Sequence, residues 1–453
     1  MSPAVKPELS ARRETRAPDN RVRFLRMLLV FLPILATFAY VRSLAVEVPM
    51  WDDWDLFIPH FQHLAAGQLQ WSDINTQNNE SLAAFPMMAS LALAKLSGGR
   101  LLPIVYLSCC FLGGSLVFLF LFFRMLRLPG RWSDLWFLPA GLLLMGWRQG
   151  DSLLWSTDLL NTMALFFILA SLYFCLQACR IPIFFSAAVL CAWIASFTMA
   201  SGLLVWFCGA VALTATVCRQ TQPEREIGKI IAWLVLGAAC VLCFLGDVAP
   251  HAVPWPTGIS YVAGHWRDAI RYSLVYLGGS LSANPYEALR IGFAFVLLAI
   301  PVLLTAVRHL RKRSSIWPGL LLSGFVAMAL VPLLNGRLGL GVDQAFASRY
   351  VTLSALAPIG VYFCSLALAD SVRIGRYLAV AMVLLLAGGI YNSYSSGLES
   401  GRLESLKRTD CAAALRNFRQ VDRARLACGY PDPGVVLERA PGMERYHLSL
   451  FGQ

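Results

Sequence analysis

Long apolar runs separated by short polar links recur along nearly the whole chain. They read as spans near 25–45, 101–123, 134–148, 159–178, 182–200, 203–218, 229–247, 289–307, 316–335, 350–369 and 376–395. Runs of roughly 16 to 23 apolar residues satisfy their own backbone as helices across hydrocarbon. Two further stretches, 82–97 (LAAFPMMASLALAKLS) and 271–283 (RYSLVYLGGSLSA), are short for crossing, and the second carries a Gly pair that weakens a helix.

The links decide between topologies. If neither short stretch crosses, the N-terminal basic cluster falls on one side together with Arg124, Arg127 and Arg131, Arg180, Arg219, Arg225 and Lys229, Arg308 to Arg313, and Arg373 with Arg376. Positive charge marks the cytoplasmic side. If both cross, the clusters at 124–131 and 219–229 move outside. The pattern therefore predicts an all-α polytopic membrane protein of about eleven spans, with 82–97 and 271–283 at the outer surface or re-entering from it.

This reading divides the chain into a basic cytoplasmic tail (1–24), a transmembrane region (25–395) with a long outer loop (46–100), and a periplasmic C-terminal tail (396–453). The N-terminal segment is too mixed for a signal peptide, so the first span is expected to be an uncleaved anchor. The outer face also collects the loops 148–158, 248–288 and 336–349.

Composition agrees: hydrophobic residues make up 57% of the chain and charged residues 14%, and the mean hydropathy is +0.61. The net charge of +12 then belongs to cytoplasmic links rather than to a nucleic-acid surface, and no nucleic-acid partner is expected. Ten of twelve cysteines lie in or beside apolar runs; Cys411 and Cys428 sit in polar sequence. No Cys/His pattern has metal spacing, so no structural zinc is expected. The tail is too small to hold a strong core unaided. In an oxidising envelope a Cys411–Cys428 disulfide would compensate; two free thiols are the alternative.

Candidate chemistry concentrates in EVPMWDDWDLFIP at 47–59, where Asp52, Asp53 and Asp55 are wedged among Trp51, Trp54, Phe57 and Pro59. Aromatic residues and Pro indicate a packed juxtamembrane segment. Carboxyls held close raise one another's pKa and suit one to act as a base, whereas a divalent cation keeps them ionised. Oxygen ligands of this kind suit Mg2+ or Mn2+. Asp52, Asp53 and Asp158 are the expected ligands if a metal is used; otherwise no cofactor is expected.

Several features resemble the GT-C class of integral membrane glycosyltransferases: Asp52-Asp53 directly after the first span, a long outer loop, Asn79-Glu80 before FPMM, and acidic residues in the second outer loop. The chain is also similar to a group of multi-pass bacterial membrane proteins assigned to that class by pattern. These show an acidic-Trp-Asp segment, an NE motif, a small-residue span like ASFTMASGLLVW at 195–206 and an Ala-Ser-Arg-Tyr stretch, here 347–350. The chain departs in having Gln77-Asn78 and Ser81-Leu82 around the Asn-Glu pair, where His and Arg are expected.

The resemblance implies a GT-C-like fold with outer juxtamembrane helices, a polyprenyl-phosphate sugar donor, and a glycan or lipid acceptor of the envelope. It makes Asp52 the catalytic base, with Asp53 beside it as ligand or orienter. Asp55, Glu80, Asp158, His265, Arg337 and Arg349 are the further candidates for substrate binding, with Asp151, Arg267 and Arg271 behind them. Guanidinium groups suit a departing phosphate because their planar donors bind two oxygens at once. The expected location is the bacterial inner membrane, N-terminus cytoplasmic and C-terminus periplasmic. The alternatives are a transporter or flippase, which would carry ionisable groups within its spans, and a polysaccharide polymerase or ligase.

Overall fold

The structure is a computed structural model that describes residues 20–130, 132–220, 222–249, 255–369 and 372–452. The expected N-terminal tail through residue 19, and Arg131, lie outside the described residues.

Among the described residues nine helices are long and apolar enough to cross a membrane: Phe24–Leu44, Leu102–Arg124, Ser156–Gln177, Ala200–Val217, Glu226–Asp247, Pro285–His309, Ser314–Leu340, Ser348–Ala369 and Arg373–Arg416. The chain is a multi-pass helical membrane protein. Ser348–Ala369 lies at the centre of the bundle, buried almost throughout. Glu226–Asp247 lies at the periphery, where Ile231, Leu234, Val235, Leu242 and Leu245 are exposed. An apolar exposed stripe on such a helix suits contact with lipid tails.

Two of the eleven expected spans are shorter than predicted. The 134–148 run breaks into a 3-10 turn at Ser133–Phe137 and a seven-residue helix at Leu138–Leu144. The 182–200 run forms only the helix Ile183–Ser196. Pro139 starts the first of these helices and Gly146 follows its end, so neither side of the segment favours a longer helix.

The two ends of each short segment nevertheless meet different neighbours in the bundle. Asp134 pairs with Arg26 near the start of the first helix; further on, Thr37 donates to Met145 O and Trp147 stacks on Tyr40 at 4.8 Å. The second segment begins near Phe174, which its Phe184 meets at 5.0 Å. It ends with Phe197 O accepting from Phe85 N, beside Ser81, which caps Ala200 N.

Most of the basic links gather at one end. Arg219 donates to Leu310 O, Lys229 to Ala178 O, Arg313 to Ala367 O and Arg376 to Ala369 O, while Arg124 pairs with Asp134 at 3.0 Å. The acidic segment 52–55 lies at the opposite end. Of the two short stretches, 82–97 contains the 14-residue helix Ala84–Ser97. The other overlaps Trp266–Gly278, which packs so closely on Pro285–His309 that a Cβ at Gly278 or Gly292 would strike the opposing backbone.

The last helix, Arg373–Arg416, continues without interruption through position 395, where the tail was expected to begin. At about 1.5 Å per residue it outreaches the roughly 30 Å of hydrocarbon twofold. A stripe of Gly389, Ser393, Gly397 and Gly401 is buried along it, and Gly397 and Gly401 meet Trp147 and Tyr40.

Beyond this helix the C-terminal segment shares a core with the 46–100 loop. Trp54, Phe57, Phe61, Met87 and Leu91 pack with Leu415, Leu426, Val436 and Met443 in one cluster, separate from the bundle core. Glu47 fastens three pieces of chain: its carboxylate accepts from Leu101 N at 2.7 Å, Leu102 N at 3.0 Å and Ser449 Oγ at 2.7 Å. Negative charge at a helix start is favourable. Cys411 and Cys428 form a disulfide with S–S 2.10 Å.

Candidate functional site

The acidic segment begins with a backbone turn. Trp51 takes a left-handed φ of 48°, its N–H donating to Gly429 O of the C-terminal segment at 2.7 Å. Asp52 follows as the residue before a four-residue helix, Asp53–Leu56. Trp54 is fully buried and donates to Pro49 O at 3.1 Å, so the helix is pinned from within, and Asp52 and the helix's two carboxylates point to different surroundings.

Asp53 is buried and fully engaged. It accepts from Met50 N at 3.0 Å, Ser156 Oγ at 2.6 Å and Thr157 Oγ1 at 2.7 Å. Trp155 adds a bond to Met50 O at 3.0 Å. Burial pushes the Asp53 carboxyl up to about 6, opposed by these donors and by Arg408. Its place in the fold is that of a clamp between the first and second long loops. Asp55 faces the C-terminal segment, where Tyr430 Oη donates to it at 2.6 Å and Arg439 pairs with it at 2.6 Å.

Asp52 is different. Its side chain makes no hydrogen bond among the described residues and is partly buried. Burial raises its pKa, Arg349 lowers it, Asp55 raises it and Arg337 lowers it. The charges of two guanidinium groups from separate elements thus act on a partly desolvated carboxyl. Arg349 sits in the 3-10 turn Ser348–Tyr350, which Ser348 ties to Ser152 at 3.3 Å; Tyr272 lies within electrostatic reach of Arg349 and Tyr350.

Arg337 ends the helix Trp317–Arg337. It pairs with Glu80 at 2.8 Å and lies over the Trp255 ring at 5.6 Å. The Asn-Glu pair supplies this contact through a hairpin in which Gln77–Asn78 pairs with Ser81–Leu82, Gln77 opposite Leu82. Asn79, in its turn, has a φ of 51°, a conformation that Asn tolerates better than most residues. Asp52, Glu80, Arg337 and Arg349, drawn from four distant stretches, therefore share one end of the bundle.

Other candidates stand apart. Asp158 is buried at the start of the Ser156–Gln177 span; its Oδ1 accepts from Asn161 at 2.9 Å, and its Oδ2 has no hydrogen-bond partner among the described residues. His265 is exposed, stacked on Tyr261 at 4.1 Å. Arg271 pairs with Asp268 at 3.6 Å, and Arg267 lies over Trp266. Asp151 is exposed; its carbonyl accepts from Arg408 at 3.3 Å.

Asp52, Asp53 and Asp158 do not bring their oxygens together as a ligand set. Among the described residues, the one group of three His, Cys, Asp or Glu side chains with ligand atoms within 4.8 Å of one another is His60, His63 and Asp73. His60 and His63 stand three residues apart in a sequence that otherwise gives no metal spacing, and Asp73 joins them only through the turn between two helices. Arg408 was equally hidden: it lies in polar tail sequence yet is buried, donating to Leu154 O and to Glu404 at 2.9 Å. A cavity of about 720 Å³ lies between the 46–100 loop and the C-terminal segment, lined by Phe61, Leu64, Lys95, Arg100, Tyr446 and Leu448. None of Asp52, Arg337 or Arg349 lines it.

Compared with known proteins, the chain matches no protein-family model, no curated protein and no solved structure.

Proposed function

We propose that the protein is a membrane glycosyltransferase that takes a sugar from a polyprenyl-phosphate donor and passes it to an envelope glycan or lipid on the periplasmic side. The observation that carries this reading is Asp52, partly buried and without a side-chain hydrogen bond among the described residues, under the charges of Arg349 and Arg337. A carboxylate of raised pKa is suited to take a proton from an attacking hydroxyl. The acceptor oxygen bonds to the anomeric carbon as the bond from that carbon to the lipid phosphate breaks. Negative charge then grows on the phosphate, where Arg349 would receive it and Arg337, paired with Glu80, would assist. Mg2+ or Mn2+ would suit the same phosphate and carboxylate oxygens.

The Cys411–Cys428 disulfide supports the sidedness, because disulfides persist in oxidising compartments. Gly429 and Tyr430, beside it in sequence, touch Trp51 and Asp55, so the bridge and the acidic segment share one side. The basic links at the other end fit the cytoplasm. Purified protein in vesicles with labelled polyprenyl-phosphate sugars tests the reading: sugar appears in an acceptor and free lipid phosphate is released. Sugar-lipid recovered intact after incubation with an acceptor extract argues against it.

One observation favours a second reading, a transporter or flippase. Asp158 places an ionisable group, with an oxygen unpartnered among the described residues, at the start of a candidate span, and ionisable groups within spans mark substrate or proton paths. Movement of a lipid-linked substrate across proteoliposomes without covalent change, lost in Asp158→Asn, would support it.

A further inference from the structure

We propose that His60, His63 and Asp73 form a zinc-binding site. The eight-residue helix Ile58–Ala65 places His60 and His63 on one face, three positions apart. The chain then turns back through Gly67, whose φ of +70° suits glycine, into the short helix Trp71–Ile74 that carries Asp73. His60 Nδ1 and His63 Nδ1 each lie 2.8 Å from the same oxygen, Asp73 Oδ1.

Two of the atoms not aimed at this point are already engaged. His60 Nε2 meets Thr76 Oγ1 at 3.3 Å, and Asp73 Oδ2 accepts from Gln70 N at 2.7 Å. Outer partners of this kind fix ring orientation and ligand geometry in metal sites. Zinc bonds of about 2.0 to 2.2 Å in a tetrahedron set ligand atoms about 3.3 Å apart. The three ligand atoms already lie within 4.8 Å of one another, with both histidine–aspartate separations at 2.8 Å, so side-chain adjustment alone is needed to reach that spacing.

Two imidazoles and one carboxylate favour zinc over magnesium or calcium, which prefer oxygen alone. His63 is about half exposed, its side chain at 50%, so the fourth position opens to water. Bound there, the metal closes the turn 66–70 and joins the two helices of the loop segment that follows Asp52.

Isothermal titration of the purified full chain in detergent, with ZnCl2 and with MgCl2, tests the site, alongside elemental analysis. The expected result is one zinc per chain and no heat from magnesium at the same concentration. His63→Ala should weaken zinc at least about tenfold, and zinc should raise the thermal midpoint of the parent but not of that variant. Because His63 is partly exposed, the variant should fold; His265→Ala, altering an exposed histidine elsewhere, should bind as the parent does. Absence of stoichiometric zinc binding, or equal affinity in parent and His63→Ala, would overturn the proposal.

Discussion

Asp53 Oδ1 accepts the Ser156 hydroxyl at 2.6 Å, joining the first long loop to the second across 103 residues of sequence. With Thr157 and Met50 N also donating, a buried carboxylate satisfies three groups at once. Asp53→Ala leaves those donors stranded, and each buried unsatisfied donor costs about 1–3 kcal/mol. The variant should melt at clearly lower temperature in detergent, followed by tryptophan fluorescence. An unchanged midpoint would contradict the clamp.

The same residue gives stability a pH dependence of definite sign. Burial holds the Asp53 carboxyl at about 6, above the roughly 3.9 of an unfolded chain. Between those values the folded state binds more protons, so this contribution is fully present below about pH 4 and is lost as pH rises through about 6. Thermal midpoints measured from pH 4 to 7 should show a falling component that Asp53→Asn, neutral throughout, removes. Identical slopes in the two proteins would rule it out.

The C-terminal segment depends on its covalent tie. Cys411 and Cys428 are 17 residues apart in sequence, and closing a loop of that size is worth about 3 kcal/mol. Alkylation of native protein should leave both thiols unmodified until reductant is added, and reduction should speed tryptic cleavage after Arg416. Both cysteines alkylated without reductant would refute the bridge.

Arg349 acts on the charge of Asp52 and, among the described residues, makes no ion pair like that of Arg337 with Glu80. If it stabilises a departing phosphate, Arg349→Ala should slow transfer by about 10²–10³-fold. Arg349→Lys should recover only part, since an ammonium keeps the charge but loses the planar fork. Measured rates in vesicles decide this; equal rates in parent and Arg349→Ala would place the phosphate elsewhere.

The spans were legible because uninterrupted apolar runs leave a backbone few alternatives in hydrocarbon. The broken 134–148 segment was not, since Pro139 and Gly146 shorten its helix without lowering its hydropathy. Nor was the continuation of the last helix beyond 395: NSYSSGLESGRLESLKRTD is polar enough to read as tail, while its small residues every fourth position carry the packing signal. At the site, the sequence grouped Asp52 and Asp53 as partners. Their difference depends on Ser156 and Thr157, and no local pattern ties those residues to the first loop. His60, His63 and Asp73 likewise meet only once the chain has turned at Gly67.

Everything in the proposed chemistry passes through the carboxylate of Asp52, so the direct measurement is sugar transfer by Asp52→Asn in vesicles containing matched amounts of folded protein. A lost general base costs about 10²–10⁴-fold, and the account expects a fall in that range with an unchanged thermal midpoint. Transfer at the parent's rate would contradict it.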